Sequence, residues 1–491
     1  MNIYDYLVRA AGVDPQGVAV CLGDQLHQTW STLDDRSRRL ARSLAVKGQA
    51  GDRVLIASPN CAEFPEIMFG TWAAGMAVVP INAKLHVREI AEIIADSEPV
   101  AVLVSAKIAE GLQSIGEAAI EIGSEEYEVL FADTGASPVA RGKDDLAWLF
   151  YTSGTTGRSK GAMLTHGNLA AMTDAHLADI DSPEGASALL HAAPMSHGSG
   201  LYMLPYVARG SRQVIPASGG FDPAEFCELC VMHEGVRAFL APTMVQRLRL
   251  AQDDQTPFPT NLELVVYGGG PMHVSDMRAA LAAFGPIFAQ IYGQGETPMT
   301  ITGLTREDHI DASDTVLGSV GKVRSVIELK IVGDSGERMP AGTPGEILCR
   351  GATVMAGYWH NPDATKATLA DGWLHTGDIG TLDENGFLTL LDRSKDVVIS
   401  GGSNIYPREV EEVLLAHPDV VEAAVIGSPD EEWGEIVVAH VVLSTDIPHT
   451  DLDGHCLAHI ARFKRPKRYV VHEELPKNAN GKVLKRELRE V

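Results

Sequence analysis

Short apolar runs recur along the chain at 54–56, 77–79, 101–104, 147–151, 235–240 and 262–267. Each is short enough and rich enough in β-branched or aromatic residues to read as a buried strand. The longer segments 62–74, 87–95 and 274–284 place apolar residues at helical spacing. Strands alternating with helices predict layered α/β structure whose functional loops leave the sheet ends. From 316 to 391 the pattern changes. Short runs at 327–332, 345–349 and 387–391 sit between glycine turns and predict a β-rich unit. A further boundary falls at 392–395. Beyond it the pattern predicts a hairpin, a helix at 408–416, strands at 420–426 and 436–443, a helix at 451–462 and a strand at 468–471. That is an α+β domain of ordinary size.

Length and charge narrow the function. The chain has 491 residues and a formal net charge of −25, which argues against nonspecific nucleic-acid binding. One basic stretch, Arg462, Lys464, Arg465, Lys467 and Arg468, stands out against this background. No secretory signal and no apolar run of transmembrane length is visible, so a cytoplasmic protein is expected. Six cysteines are too few for a disulfide scaffold. Cys227 and Cys230, with His233 nearby, lie on a predicted helix at 223–233. Without a second ligand pair at zinc-site spacing they read as core cysteines.

The chemistry is concentrated in seven segments. Tyr151-Thr152-Ser153-Gly154-Thr155-Thr156-Gly157-Arg158-Ser159-Lys160 follows a strand-like run. It offers hydroxyls, unobstructed N–H groups and one cation, as a polyphosphate requires, but it lacks the Walker A spacing. Pro194-Met-Ser-His197-Gly198-Ser-Gly200 and Tyr267-Gly268-Gly269-Gly270 follow further apolar runs. Tyr292-Gly293-Gln294-Gly295-Glu296-Thr297-Pro298 supplies a carboxylate after a strand, and Asp371-Gly-Trp-Leu-His-Thr376-Gly377-Asp378 a second. Arg393, Lys395, Gly401 and Gly402 lie across the domain boundary, and Gly481-Lys482 lies in a C-terminal loop. Taken singly, each could be a turn, a solvated lysine or a structural carboxylate. Their order along the chain carries the argument.

In that order the segments resemble the adenylate-forming superfamily: acyl-CoA synthetases, peptide-synthetase adenylation domains and luciferases. The resemblance covers nearly the whole chain. It implies an α/β fold with a large N-terminal domain over 1–392 (two layered α/β sheets plus a β-rich unit), a hinge at 393–396, and a small mobile α+β domain over 397–491. It implies ATP bound by Thr152, Ser153, Gly154, Thr155, Thr156, Lys160, Gly269, Gly270, Tyr292, Gly293, Asp378 and Arg393, with Tyr292 on the adenine and Asp378 on the ribose. Glu296 would ligate Mg2+. His197, Gly198, Gly268, Gly293 and Pro298 would line the acid pocket, with His197 and Glu296 counted beside Lys482 as catalytic. Lys395 would be the hinge residue, and Gly401 and Gly402 would lie along the thiol channel. One position departs from the family pattern. Gly295 stands where threonine is usual, and Thr297 is a candidate substitute for the missing hydroxyl. The expected activity is an AMP-forming carboxylic acid–CoA ligase for an aryl or medium-chain fatty acid. Its partners are the acid and CoA, and a homodimer is compatible with the resemblance. The alternatives are an adenylation enzyme loading a carrier protein and a non-catalytic nucleotide-binding homologue.

Overall fold

The computed structural model describes residues 2–152, 159–183, 187–252, 256–393, 396–400, 403–430, 432–477 and 483–489. Among them the strands form four sheets. The six-stranded sheet runs in the order Ile120–Glu121, Ala101–Val104, Arg53–Ala57, Ala77–Ile81, Leu146–Thr152, Lys160–Thr165. Its strands pair in parallel except for the final antiparallel hairpin. Ala77–Ile81 is buried at every position, the signature of a strand covered on both faces. The helix Phe64–Ala73 packs onto this sheet: Trp72 and Trp148 are both fully buried, their ring centroids lie 6.4 Å apart, and Trp72 Nε1 donates to Ala147 O at 2.8 Å. Each ring so buried contributes at least about 2 kcal/mol of transfer free energy. The strand Leu146–Thr152 is thereby fixed up to Thr152, where the Thr/Gly-rich segment begins.

The nine-stranded sheet contains Ala188–Leu190, Val236–Leu240, Leu262–Tyr267 and Phe288–Gln294 side by side in parallel, followed by the antiparallel Thr297–Leu304. Segments 191–197, 268–270 and 295–296 all leave the carboxyl ends of these strands. Open α/β sheets bind ligands at that end. The strands Ile327–Val332, Gly345–Gly351, Leu374–Leu382 and Leu388–Arg393 make the four-stranded antiparallel sheet, and five strands between Val398 and His472 make the last. The predicted strands and helices are present with ends shifted by a few residues. For example, the predicted helix at 451–462 runs instead over His449–His459.

The patterning missed the hairpin Val18–Leu22/Gln25–Thr29 and the helix Trp30–Lys47. That helix is rich in charge, and its buried Leu33, Leu40 and Leu44 are spaced widely among polar residues. Its start is nonetheless marked: the Thr29 side chain caps the helix by accepting from Thr32 N. Cys227 and Cys230 are fully buried in the core of the nine-stranded sheet, and His233 Nε2 lies 3.0 Å from Gly23 O.

Candidate active site

The Asp378 carboxylate organises one end of the site. Leu374–Leu382 and Leu388–Arg393 pair antiparallel with Asp378 opposite Arg393, so sheet register alone brings the two side chains together. Arg393 Nε lies 2.7 Å from Oδ1. Tyr292 Oη and Gln294 Nε2 each donate to Oδ2 at 2.6 Å, and Gln294 also donates to Thr376 O at 3.0 Å. Asp378 is thus buried with three donors from two sheets upon it. Burial and the neighbouring Asp378 charge raise the Tyr292 phenol pKa well above its ordinary value, so it remains a neutral donor. The sequence reading missed Gln294: a glutamine inside a glycine-rich motif gives no signal of its own.

Glu296 occupies the tip of the hairpin between Phe288–Gln294 and Thr297–Leu304. Gln294 pairs with Thr297, leaving Gly295 and Glu296 as a two-residue turn. Met355 N donates to the Glu296 carbonyl at 2.8 Å, and Tyr358 Oη donates to Glu296 Oε1 at 2.6 Å. Lys160 stands opposite Thr152 in its own hairpin, with Nζ 5.2 Å from the centroid of the Tyr358 ring. Tyr358 therefore links the lysine to the carboxylate, a connection the sequence motifs did not contain.

The other end of the site is apolar. His197 begins the helix Gly198–Ala208, with Nδ1 2.9 Å from Ser196 Oγ. Burial pushes its pKa down to about 4, so the ring is neutral near pH 7. Phe150 meets it edge to face at 5.5 Å, and Tyr202 stacks on Phe239 at 5.1 Å. Space explains three of the glycines. A Cβ on Gly198 would lie 2.5 Å from Phe239 Cε1, one on Gly268 2.6 Å from Ile291 O, and one on Gly293 2.5 Å from Met299 N. Gly269 faces open space, a Cβ on Gly270 would lie 3.8 Å from Pro242 Cδ, and Pro298 is buried within the strand Thr297–Leu304.

Thr297 does not present its hydroxyl to the site as the substitute the sequence suggested. It is fully buried, with Oγ1 3.0 Å from Thr353 Oγ1 and 3.4 Å from Thr300 Oγ1. Thr297 opens the strand Thr297–Leu304, which is buried at every position, whereas Glu296 lies in the partly exposed turn before it. Ser153, Gly154, Thr155, Thr156, Lys395, Gly401, Gly402 and Lys482 lie outside the described residues. Three residues past Lys482, Lys485 Nζ lies 2.8 Å from Glu411 Oε1 and 3.7 Å from Asp392 Oδ2. In the basic stretch, Lys464 is paired with Glu409 and Arg465 with Asp453, so two of its five cations are already engaged.

Comparison with known proteins agrees with this geometry. The model of the AMP-binding enzyme family matches residues 7–359, and that of the AMP-binding enzyme C-terminal domain matches 409–482. A feruloyl-CoA synthase from Amycolatopsis sp is 35% identical, over 98% of this chain and 97% of its own. ATP-bound MatB from Rhodopseudomonas palustris superposes with a TM-score of 0.91 at 31% identity, covering 100% of this chain and 99% of that one. The o-succinylbenzoate CoA synthetase of Bacillus subtilis, solved with its acyl-adenylate intermediate, gives 0.88 at 30% identity over 99% and 98% of the two chains. The chain belongs to the AMP-binding, adenylate-forming enzymes and is an AMP-forming acyl-CoA synthetase.

Proposed function

We propose that the protein activates a neutral aryl acid of the benzoate or cinnamate type and transfers it to CoA. The observation that carries the acid class is the pocket end of the site: His197 is uncharged by burial and borders the Phe150 ring. A second carboxylate would want a cation there. Two described arginines carry carboxylate partners already: Arg237 pairs with Asp181 and Glu263, and Arg324 with Asp179. The likeness to a feruloyl-CoA synthase supports the same class.

The first half-reaction joins an acid carboxylate oxygen to the α-phosphorus of ATP as the bond to pyrophosphate breaks. On this reading the segment from Thr152 to Lys160 receives the β- and γ-phosphates, and Asp378 accepts from the ribose hydroxyls while Arg393 braces it. Lys482 balances charge where the two anions meet. Such chemistry asks the protein for alignment and charge stabilisation rather than a nucleophile. Glu296 suits a magnesium ion: Tyr358 fixes Oε1, which leaves Oε2 as a hard oxygen donor, and the ion would offset phosphate charge. In the second half-reaction the C-terminal domain turns about Lys395, withdrawing Lys482 and bringing Gly401 and Gly402 alongside the pantetheine. The CoA sulfur then bonds to the acyl carbon, AMP departs with the shared oxygen, and the thiol proton is lost to solvent.

The test is pyrophosphate release from ATP and Mg2+ with aryl, fatty and dicarboxylic acids, each with and without CoA. Release stimulated by CoA with an aryl acid is expected. Stimulation only by a carrier protein would identify a carrier-loading enzyme, and no release with any acid would overturn the ligase reading.

A further inference from the structure

Gly295 is not a glycine for the sake of its backbone. Its φ lies outside the left-handed region, unlike that of Gly269. Space is the constraint. A Cβ at 295 would stand 2.5 Å from Thr152 Cγ2, 2.8 Å from Phe150 Cδ1 and 3.1 Å from Phe150 Cε1. Real side chains do not approach so closely unless something moves, and here the neighbours are held. Phe150 and Thr152 lie two apart on Leu146–Thr152, so they share a face of the sheet. The Phe150 ring stacks on Trp148 at 6.3 Å, and Trp148 is itself fully buried against Trp72. The stack therefore backs the ring on its Trp148 side. Phe150 is nonetheless only partly buried, whereas Trp148 and Leu149 before it are fully buried. The Phe150 ring borders His197, and Gly295 lies against both Phe150 and Thr152.

We propose that Phe150 and Gly295 form one specificity-determining unit. The aromatic ring, with the Thr152 methyl, occupies the volume a side chain at 295 would need, and the ring supplies a flat wall beside His197, against which a planar aryl acid lies. This deepens the aryl-acid reading above and rests on it. Aromatic rings gain from offset or edge contacts with other rings, so exchanging the wall for an aliphatic one should shift selectivity rather than abolish turnover.

A double-mutant cycle tests the unit, using the full chain with Phe150→Leu, Gly295→Thr and the pair. Thermal unfolding without substrate reads the packing. Gly295→Thr should lower Tm by about 3 °C or more, and Phe150→Leu in the same chain should restore most of that loss. Should Gly295→Thr fail to fold, rescue of soluble protein by Phe150→Leu is the same result, with Gly295→Ala as the milder probe. The kcat/KM ratio of cinnamate to octanoate reads selectivity, and Phe150→Leu alone should lower it about tenfold. Gly295→Thr with unchanged Tm, or the same loss whether or not Phe150 is Leu, overturns the pairing. An unchanged ratio in Phe150→Leu overturns the specificity role. If no variant releases pyrophosphate with any acid, the specificity role falls together with the ligase reading, while the unfolding cycle still judges the packing.

Discussion

The two ends of the site are built from opposite materials. At the end proposed to hold the nucleotide, Asp378 accepts from Arg393, Tyr292 and Gln294, and Glu296 is tied to Tyr358. At the end proposed to hold the acid, a neutral histidine, aromatic rings and glycines crowd one another through carbon contacts. Polar readout of an invariant ligand needs particular donors at particular points, and losing one leaves a buried charge short of partners. An apolar pocket holds its ligand by shape, and shape can be changed a methylene at a time at modest cost. One end is therefore expected to be intolerant of substitution, and the other retunable.

The largest expected effect tests whether the catalytic cation belongs to the first end alone. Lys482→Ala should lower adenylation about 10³-fold while thioester formation from supplied acyl-adenylate persists. Single-turnover assays of each half-reaction measure this, and equal loss in both would remove the role given to Lys482. Next, Asp378→Asn keeps the shape but leaves Arg393 without its anion. The KM for ATP should rise about 30-fold, with the KM for the acid nearly unchanged. Equal change in both constants would erase the division between the ends. Tyr358→Phe removes one donor from Glu296 and should raise the ATP–Mg2+ requirement about fivefold, measured by titrating Mg2+ at fixed ATP.

The last expected effect is on stability at acid pH rather than on catalysis. Burial holds His166, His191 and His197 each at about 4 and His176 at about 3, all below the ordinary histidine range. The unfolded chain binds these protons near pH 6.5 and the folded chain does not. Their contribution is therefore intact above that pH and is lost as pH falls from about 6.5 towards 4, by up to about 1.4 kcal/mol per pH unit per histidine. Tm should fall steadily on acidification over that window, and less steeply in His197→Gln. A profile flat from pH 7 to 5 would contradict the neutral pocket.

The contrast also accounts for what the sequence made legible. The nucleotide end is written in contiguous motifs because strand ends and tight turns place neighbours in sequence beside one another in space, as Gly293, Gln294 and Glu296 are. Arg393 and Asp378 needed only strand register to meet. The acyl end comes from segments far apart in sequence. Phe150 reads from the sequence as one more apolar residue in a strand, and nothing local marks that its ring lies against residue 295. Thr297 misled for a related reason: it lies two residues past the position where threonine is usual, and the wholly buried strand it opens holds it in the core beside Thr353. The hairpin Val18–Leu22/Gln25–Thr29 and the charged helix Trp30–Lys47 were missed because their stabilisation comes from tertiary burial rather than from a strong local pattern.

The most direct measurement is competitive: wild-type enzyme with ATP, Mg2+ and CoA, and cinnamate, octanoate and succinate supplied together, with each acyl-CoA quantified. Predominance of cinnamoyl-CoA, then octanoyl-CoA, with succinyl-CoA at background, is the expected result. Predominance of succinyl-CoA would require a charged pocket and would contradict the account of the acyl end.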